Sequence, residues 1–190
     1  MTTLWLVRHG PTHQKSMTGW RDVPADLSDR AALARLAGHL PAGPVVSSDL
    51  IRAVTTADAI QGDRLRLPHD PALREIDFGA WDGLHHTQVS ARDPVLSRQF
   101  WEQPGDLRAP DGESWNDLTD RVTAAIDALI AFHAPQHLIV VAHMGVIMSQ
   151  FTRAGGNAYQ AMSHSIDPLS VSRIDRGIDG WTLGAVNHRP

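Results

Sequence analysis

The sequence predicts a three-layer α/β/α sandwich with a mainly parallel sheet. Three short and largely apolar runs, at residues 4–7, 45–48 and 138–142, have the length and composition of buried strands. Apolar residues recur at helical spacing between these runs, and alternation of strand and helix is typical of parallel sheets. No linker, repeat or low-complexity tract divides the chain, so we expect residues 1–190 to form one domain.

The first quarter of the chain follows this alternation. Residues 4–7 form the first strand, and the polar, turn-rich residues 11–27 form a loop. Ser28 is the expected N-cap of a helix, because leucines follow it at helical spacing. The two prolines and the glycine of residues 41–44 end that helix, and the second strand follows at 45–48.

The middle of the chain adds three predicted elements. A helix covers about residues 50–61, with Ser48 or Asp49 as its N-cap. Residues 65–67 are predicted as an edge strand that a proline stops. Residues 89–102 are predicted as one helix, although the function of this region is not indicated by any motif.

The C-terminal third has the clearest patterns. Ser114 and Asp117 have the spacing of a capping box, and a long amphipathic stripe follows them. We expect a buried strand at residues 138–142 and a helix at residues 144–153. A two-stranded hairpin follows, with strands at residues 169–174 and 181–186.

The overall composition narrows the function classes. Lys and Arg number 17 against 21 Asp and Glu, which gives a net charge of −4 and no general attraction to nucleic acid or anionic membranes. The chain has no cysteine, which excludes disulfides, thiolate metal sites and cysteine nucleophiles. No apolar run is long enough to span a bilayer, so we expect a cytoplasmic protein without nucleic-acid or membrane partners.

Polar residues of the same kinds follow two of the predicted strands. Arg8, His9 and Gly10 follow the first strand, and His143 follows the strand at 138–142. If these strands are parallel neighbours, both imidazoles lie at one edge of the sheet, where ligands of α/β proteins bind. Arg52 lies in the first turn of a helix, whose N-terminus adds partial positive charge. The pattern therefore predicts a site for a doubly charged oxyanion.

The chain resembles the histidine phosphatase (phosphoglycerate mutase-like) superfamily in a series of motifs that follow in the family's order. The motifs are Leu6-Val7-Arg8-His9-Gly10 with Thr12, Gly19-Trp20 with Asp22, and the segments 47–57, 73–83, 112–122 and 141–145. The resemblance covers nearly the whole chain and implies a phosphoglycerate mutase-like fold.

The resemblance also implies the chemistry of the site. His9 would attack phosphorus and carry a phosphoryl group, while Arg8, Arg52 and His143 would hold the phosphoryl oxygens. Glu75 would protonate the leaving group and then activate water. Further residues are expected to bind substrate, namely Gly10, Thr12, Lys15 and Met144. Lys15 and Met144 depart from the family's pattern, and an inward-pointing Lys15 would add positive charge.

The leading interpretation is a phosphomonoesterase that hydrolyses a small phosphorylated metabolite, of which α-ribazole phosphate is one candidate. A phosphoglycerate mutase uses the same residues but must exclude water from the phosphoenzyme, which requires extra segments that cover the site. The chain is short between Glu75 and Ser114, where such segments would lie, and this favours hydrolysis. A non-catalytic phospholigand-binding module is a third interpretation, and it would be expected to lack one of the reacting groups. The sequence does not decide between a monomer and a homodimer.

We predict no metal site and no cofactor. The adjacent His85 and His86, and the pair His133 and His137, lack a carboxylate at a standard ligand spacing. Glu113 and Arg121 are interpreted as structural residues.

Overall fold

The computed structural model describes residues 1–190 and contains one five-stranded sheet in the order β2-β3-β1-β4-β5. The strands are β1 (Thr2–Arg8), β2 (Val45–Ser47), β3 (His137–Ala142), β4 (Val171–Arg176) and β5 (Trp181–Leu183). Strands β2, β3 and β1 are parallel, β4 runs antiparallel to β1, and β5 runs antiparallel to β4. All strands except β4 therefore run in one direction, and the prediction of a mainly parallel sheet is confirmed.

Seven α-helices accompany the sheet. They are α1 (Arg30–His39), α2 (Ile51–Ile60), α3 (His86–Arg92), α4 (Pro94–Glu102), α5 (Trp115–His133), α6 (Met144–Phe151) and α7 (Ala158–Met162). None of these helices is long and apolar enough to cross a membrane.

Alternating side chains of the central strands build two separate cores. Leu6 of β1 and Val140 of β3 belong to a core that includes buried residues of α5 and α6. Val7 and Ile139, which point to the opposite face, belong to a core with α1 and α2. Because successive strand residues point to opposite faces, the sheet lies between two helical layers. This arrangement is the predicted three-layer sandwich.

The edge strand predicted at 65–67 is reduced to one parallel bridge beside β2, with hydrogen bonds from the Val45 N–H to the Leu65 carbonyl and from the Leu67 N–H to the Val45 carbonyl, both at 2.8 Å. The bridge joins Val45 and Arg66 and is too short to count as a sixth strand. Pro68 follows at once, and a proline has no N–H with which to continue a ladder. The chain instead turns so that the Asp70 N–H donates to the Ser47 carbonyl at 2.9 Å.

Two helix caps also differ from the prediction. Asp29, rather than Ser28, caps α1 by accepting from the Ala32 N–H. Neither Ser48 nor Asp49 caps α2, because its N-cap residue is Leu50 and makes no side-chain hydrogen bond. Cap-forming residues are adjacent in both stretches, and pattern alone does not decide which backbone conformation each adopts.

The predicted helix at 89–102 is two helices that meet at Asp93. Pro94 begins α4, where its missing N–H costs no intrahelical bond. The helix predicted at 144–153 ends at Phe151 and continues as a 3₁₀ turn over Thr152–Ala154. Helix α7 was not predicted.

Other predictions of local structure are confirmed. The Ser114 hydroxyl accepts from the Asp117 N–H, and the Asp117 carboxylate accepts from the Ser114 N–H, which completes the capping box of α5. The C-terminal hairpin is formed by β4 and β5.

Candidate active site

The parallel pairing of β1 and β3 brings the two strand-end histidines together. Arg8 is the register partner of Ala142, and the His9 N–H donates to the Ala142 carbonyl at 3.0 Å. The ring centroids of His9 and His143 are therefore only 5.1 Å apart. Both side chains are buried, with exposed fractions of 6% and 0%. The expectation that both imidazoles lie at one edge of the sheet holds in the structure.

One hydrogen bond fixes the tautomer of His9. Its Nδ1 lies 2.7 Å from the Gly10 carbonyl oxygen, which can only accept, so the proton is on Nδ1 and Nε2 carries the lone pair. The pKa of His9 is lowered from 6.5 to about 3, chiefly by burial, with a smaller contribution from the cations Arg52 and Arg8 and against the opposing effect of the Gly10 bond. Nε2 is consequently unprotonated at neutral pH.

The buried guanidinium of Arg52 fixes the other histidine. Its Nε donates to Nδ1 of His143 at 3.2 Å, so the proton of His143 is on Nε2. Burial is the main cause that holds the pKa of His143 well below its ordinary value, and the closeness of His9 and of the cation Arg52 adds to it. Nε2 of His143 is a buried donor with no partner in the chain. His143 is therefore a neutral donor beside the lone pair of His9.

Arg52 itself is held by a loop that an aspartate clamps. Its two terminal nitrogens donate to the carbonyls of Arg21, at 2.8 Å, and Gly19, at 2.6 Å. The Asp82 carboxylate accepts from three consecutive N–H groups of this loop, those of Gly19, Trp20 and Arg21, at 2.9–3.1 Å. Sequence reasoning missed the role of Asp82, because its partners are about sixty residues away.

Glu75 reaches the same edge from a segment outside the sheet. Its Oε1 accepts from the Ile76 N–H at 3.0 Å, and its Oε2 accepts from the Gly145 N–H, at the start of α6, at 3.2 Å. A Cβ at position 145 would lie 2.4 Å from Oε1, so any side chain there would displace the Glu75 carboxyl from this position. Burial raises the pKa of the Glu75 carboxyl, and this effect outweighs the opposing backbone bonds and the cations Arg52 and Arg8.

The backbone of Glu75 is fixed by Trp20, a residue of the second motif, and by Arg121 and Glu113, which we interpret as structural. The Trp20 indole N–H donates to the Glu75 carbonyl at 2.8 Å. Arg121 donates to the carbonyls of Glu75, at 3.3 Å, and Arg74, at 3.1 Å. Glu113 accepts two hydrogen bonds from Arg121, at 2.7 and 2.8 Å, so the pair acts as one clamp. Glu113 and Arg121 thus have a structural role, and it consists of holding the backbone of Glu75.

A cavity of about 240 Å³ opens in front of these groups. Its lining includes Arg8, His9, Arg52 and Glu75. Arg8 donates through one terminal nitrogen to the Ile166 carbonyl, while its Nε is a buried donor without a partner. The two guanidinium groups and the His143 donor can bind an oxyanion whose central atom lies near Nε2 of His9.

Two of the four predicted substrate-binding residues line the cavity, and the other two do not. Thr12 and Met144 line the cavity. Gly10 is buried, and its N–H donates to the Thr56 hydroxyl at 2.9 Å, which orients the end of β1. Lys15 is exposed and lies outside the cavity lining, so the structure does not bring its charge to the site. It belongs to the surface of the 11–27 loop, whose inward side is occupied by neutral residues such as Ser16 and Thr18.

Two of the histidines outside the site, His85 and His137, have local structural roles. His85 caps α3, and its ring lies 4.0 Å from that of His86. His137 accepts from the Trp5 indole N–H at 3.3 Å. No group of three or more His, Asp or Glu side chains is arranged to hold a metal ion.

The chain is thus an α/β protein with a cavity at the carboxyl edge of its sheet, lined by a histidine, two arginines and a glutamate. The model of the histidine phosphatase superfamily (branch 1) matches residues 4–189, and the chain belongs to this superfamily. The resemblance inferred from the motifs is thereby confirmed.

Individual relatives carry the names of phosphatases and mutases. A probable phosphoglycerate mutase of Cronobacter sakazakii is 30% identical over 206 aligned positions, which cover 99% of this chain and 95% of that protein. The crystal structure of the α-ribazole phosphatase from Shigella flexneri has a TM-score of 0.84 at 26% identity, covering 99% and 97% of the two chains. These similarities support an enzyme.

A bifunctional protein of Mycobacterium tuberculosis is 36% identical over 157 residues, or 75% of this chain. The chain matches only 41% of the length of that relative.

The buried neutral histidine makes folding stability depend on pH. Between pH 6.5 and pH 3 the unfolded chain binds a proton at His9 that the folded chain does not, so stability falls as the pH falls through this range. We expect His9→Asn to reduce the loss of unfolding free energy between pH 7 and pH 5 by about 2 kcal/mol. Urea unfolding of both proteins at the two pH values measures this difference.

The exposed His86 provides the matched control, and His86→Asn should leave the pH dependence of wild type unchanged. Equal acid destabilisation in wild type and His9→Asn would show that His9 is protonated in the folded state.

Proposed function

We propose that the chain is a phosphomonoesterase that acts on small phosphorylated metabolites through a phosphohistidine at His9. The observation that carries this proposal is the neutral Nε2 lone pair of His9 in a cavity that also contains Arg8, Arg52 and Glu75. Two fixed cations match a phosphate dianion when the Glu75 carboxyl is protonated. The same four groups are what phosphoryl transfer to a histidine requires.

In the first step Nε2 of His9 attacks phosphorus, and the bond from phosphorus to the alcohol oxygen breaks. The Glu75 carboxyl gives its proton to that oxygen, so the product leaves as a neutral alcohol. Phosphorylated His9 becomes cationic, and its Nδ1–H remains bonded to the Gly10 carbonyl. Arg8 and Arg52 hold the phosphoryl oxygens throughout, as charge spreads over them.

In the second step a water molecule attacks the phosphorus of phosphohistidine. The Glu75 carboxylate takes a proton from this water, and the bond between phosphorus and Nε2 breaks. The products are inorganic phosphate, neutral His9 and protonated Glu75, so both groups return to their starting states. The charge of the two arginines takes the place that a metal ion has in other phosphatases.

The charges that line the cavity favour hydrolysis of a simple monoester over a mutase reaction. Phosphoglycerate carries a carboxylate in addition to its phosphate, and both need a partner. The only Arg or Lys side chains in the lining are Arg8 and Arg52, which the phosphoryl group occupies in this mechanism, and Lys15 is outside. The similarity to the Cronobacter sakazakii protein keeps a mutase as the second candidate.

The third interpretation, a non-catalytic binding module, has less support. Such a module needs the arginines but has no use for an oriented lone pair or for a protonated carboxyl. The chain has both, at His9 and Glu75. The similarity to the Shigella flexneri enzyme makes α-ribazole phosphate one substrate to be tested.

Hydrolysis of p-nitrophenyl phosphate in excess chelator tests the proposal. We expect turnover by the wild type and none by His9→Asn, because the substituted amide cannot attack phosphorus. Quenching the wild-type reaction on ³²P-labelled phosphoester should trap label in a bond that is labile in acid and stable in base. Activity that requires added metal, or label that persists in His9→Asn, would contradict the proposal.

Leaving groups distinguish the two roles of Glu75. In Glu75→Gln we expect ethyl phosphate hydrolysis to fall about 10²- to 10⁴-fold, because an alkoxide needs a proton to leave. p-Nitrophenolate leaves without one, so the same variant should release a burst of nitrophenolate and then turn over slowly. The wild-type rate on ethyl phosphate should decrease as the pH rises through the raised pKa of Glu75.

Glu102 is exposed at the end of α4, and Glu102→Gln is the matched control with wild-type rates on both esters. Equal losses on the two esters without a burst would assign Glu75 a structural role only.

Product analysis with 3-phosphoglycerate separates the two candidates. The phosphatase should release inorganic phosphate, slowly because the carboxylate lacks a cation, and should form no 2-phosphoglycerate. Interconversion of the two phosphoglycerates faster than phosphate release would identify a mutase.

A further inference from the structure

A second, apolar cavity of about 180 Å³ adjoins the proposed reaction site. Four residues line both cavities, namely Glu75, Phe78, Trp101 and Met144. The two spaces are therefore neighbours across the carboxyl group that would protonate the leaving alcohol.

The position of Glu75 relates this second cavity to the substrate. In an in-line displacement the leaving oxygen lies on the side of phosphorus opposite to Nε2 of His9. That oxygen must be within hydrogen-bond reach of Glu75, and the rest of the alcohol continues beyond it. The space beyond Glu75 is the apolar cavity, which Gly145 and Met148 also line.

We propose, on the basis of the phosphatase function above, that this cavity binds the alcohol part of the substrate. The substrate class is a phosphate monoester whose alcohol carries an apolar group, about the size of one aromatic ring, close to the ester oxygen.

The chemistry of the lining selects an apolar group. Nine of the thirteen lining residues are hydrophobic, and the only charged side chain among them is Glu75. Phe100 and Trp115 provide aromatic walls, and Met148 and Met162 can adapt to the shape of a ligand. No cation is present to bind a second phosphate or a carboxylate.

The size of the cavity fits a single ring. An apolar cavity of about 150 Å³ in a protein core holds one benzene molecule. Two of the residues that line this cavity are also exposed at the surface, Trp101 at 43% and Leu107 at 36%. An apolar alcohol would bury this exposed apolar surface and remove its own ring from water, and both changes favour binding.

Two esters of primary alcohols test the proposal on the wild-type protein. 2-Phenylethyl phosphate and ethyl phosphate have similar leaving groups and differ in the ring that the cavity would bind. We expect kcat/KM to be about 10- to 100-fold higher for 2-phenylethyl phosphate, the factor that burial of an aromatic ring provides.

Variants of the lining connect this preference to the cavity. Leu107→Gln and, independently, Met162→Gln should each lower the ratio of the two kcat/KM values about tenfold, because each replaces apolar lining with a polar amide that the bound ring would have to desolvate. Val95→Gln is the matched control, since Val95 is an exposed apolar residue of α4 outside the lining, and it should keep the wild-type ratio.

The outcomes separate this inference from the proposed function. Equal kcat/KM for the two esters, or a ratio that neither lining variant changes, would overturn the alcohol site and leave the phosphatase intact. Failure to hydrolyse either ester or p-nitrophenyl phosphate would overturn both.

Discussion

The parallel register of β1 and β3 is the constraint on which the site depends. It makes the first residue after β1 a neighbour of the first residue after β3, so His9 and His143 meet without a dedicated loop. Both strands lie in the middle of the sheet and are covered by helices on both faces. A shift of one residue in this pairing would separate the two imidazoles and turn apolar side chains towards the wrong layer.

The site combines two permanent cations with two neutral imidazoles. The tautomers of His9 and His143 are set by different partners, a backbone carbonyl and the Nε of Arg52, so one ring presents a lone pair and the other a proton. Burial keeps both rings uncharged, and the arginines reinforce this effect. The positive charge therefore resides on Arg8 and Arg52, which cannot lose it at neutral pH.

Features encoded by consecutive residues could be predicted from the sequence, whereas features made by distant contacts could not. Local patterns include the apolar runs that precede His9 and His143 and the capping box that Ser114 and Asp117 form. The clamp of Asp82 on the 19–21 loop joins segments that no spacing rule connects. The break before Pro94 was available from the sequence, since proline favours the first position of a helix.

The contact between Glu75 and the start of α6 leaves no space for a side chain at position 145. Even a single methyl group there would displace either the carboxyl group or the helix that follows His143. A substitution at this position would therefore change the placement of the Glu75 carboxyl relative to His143 without touching either residue.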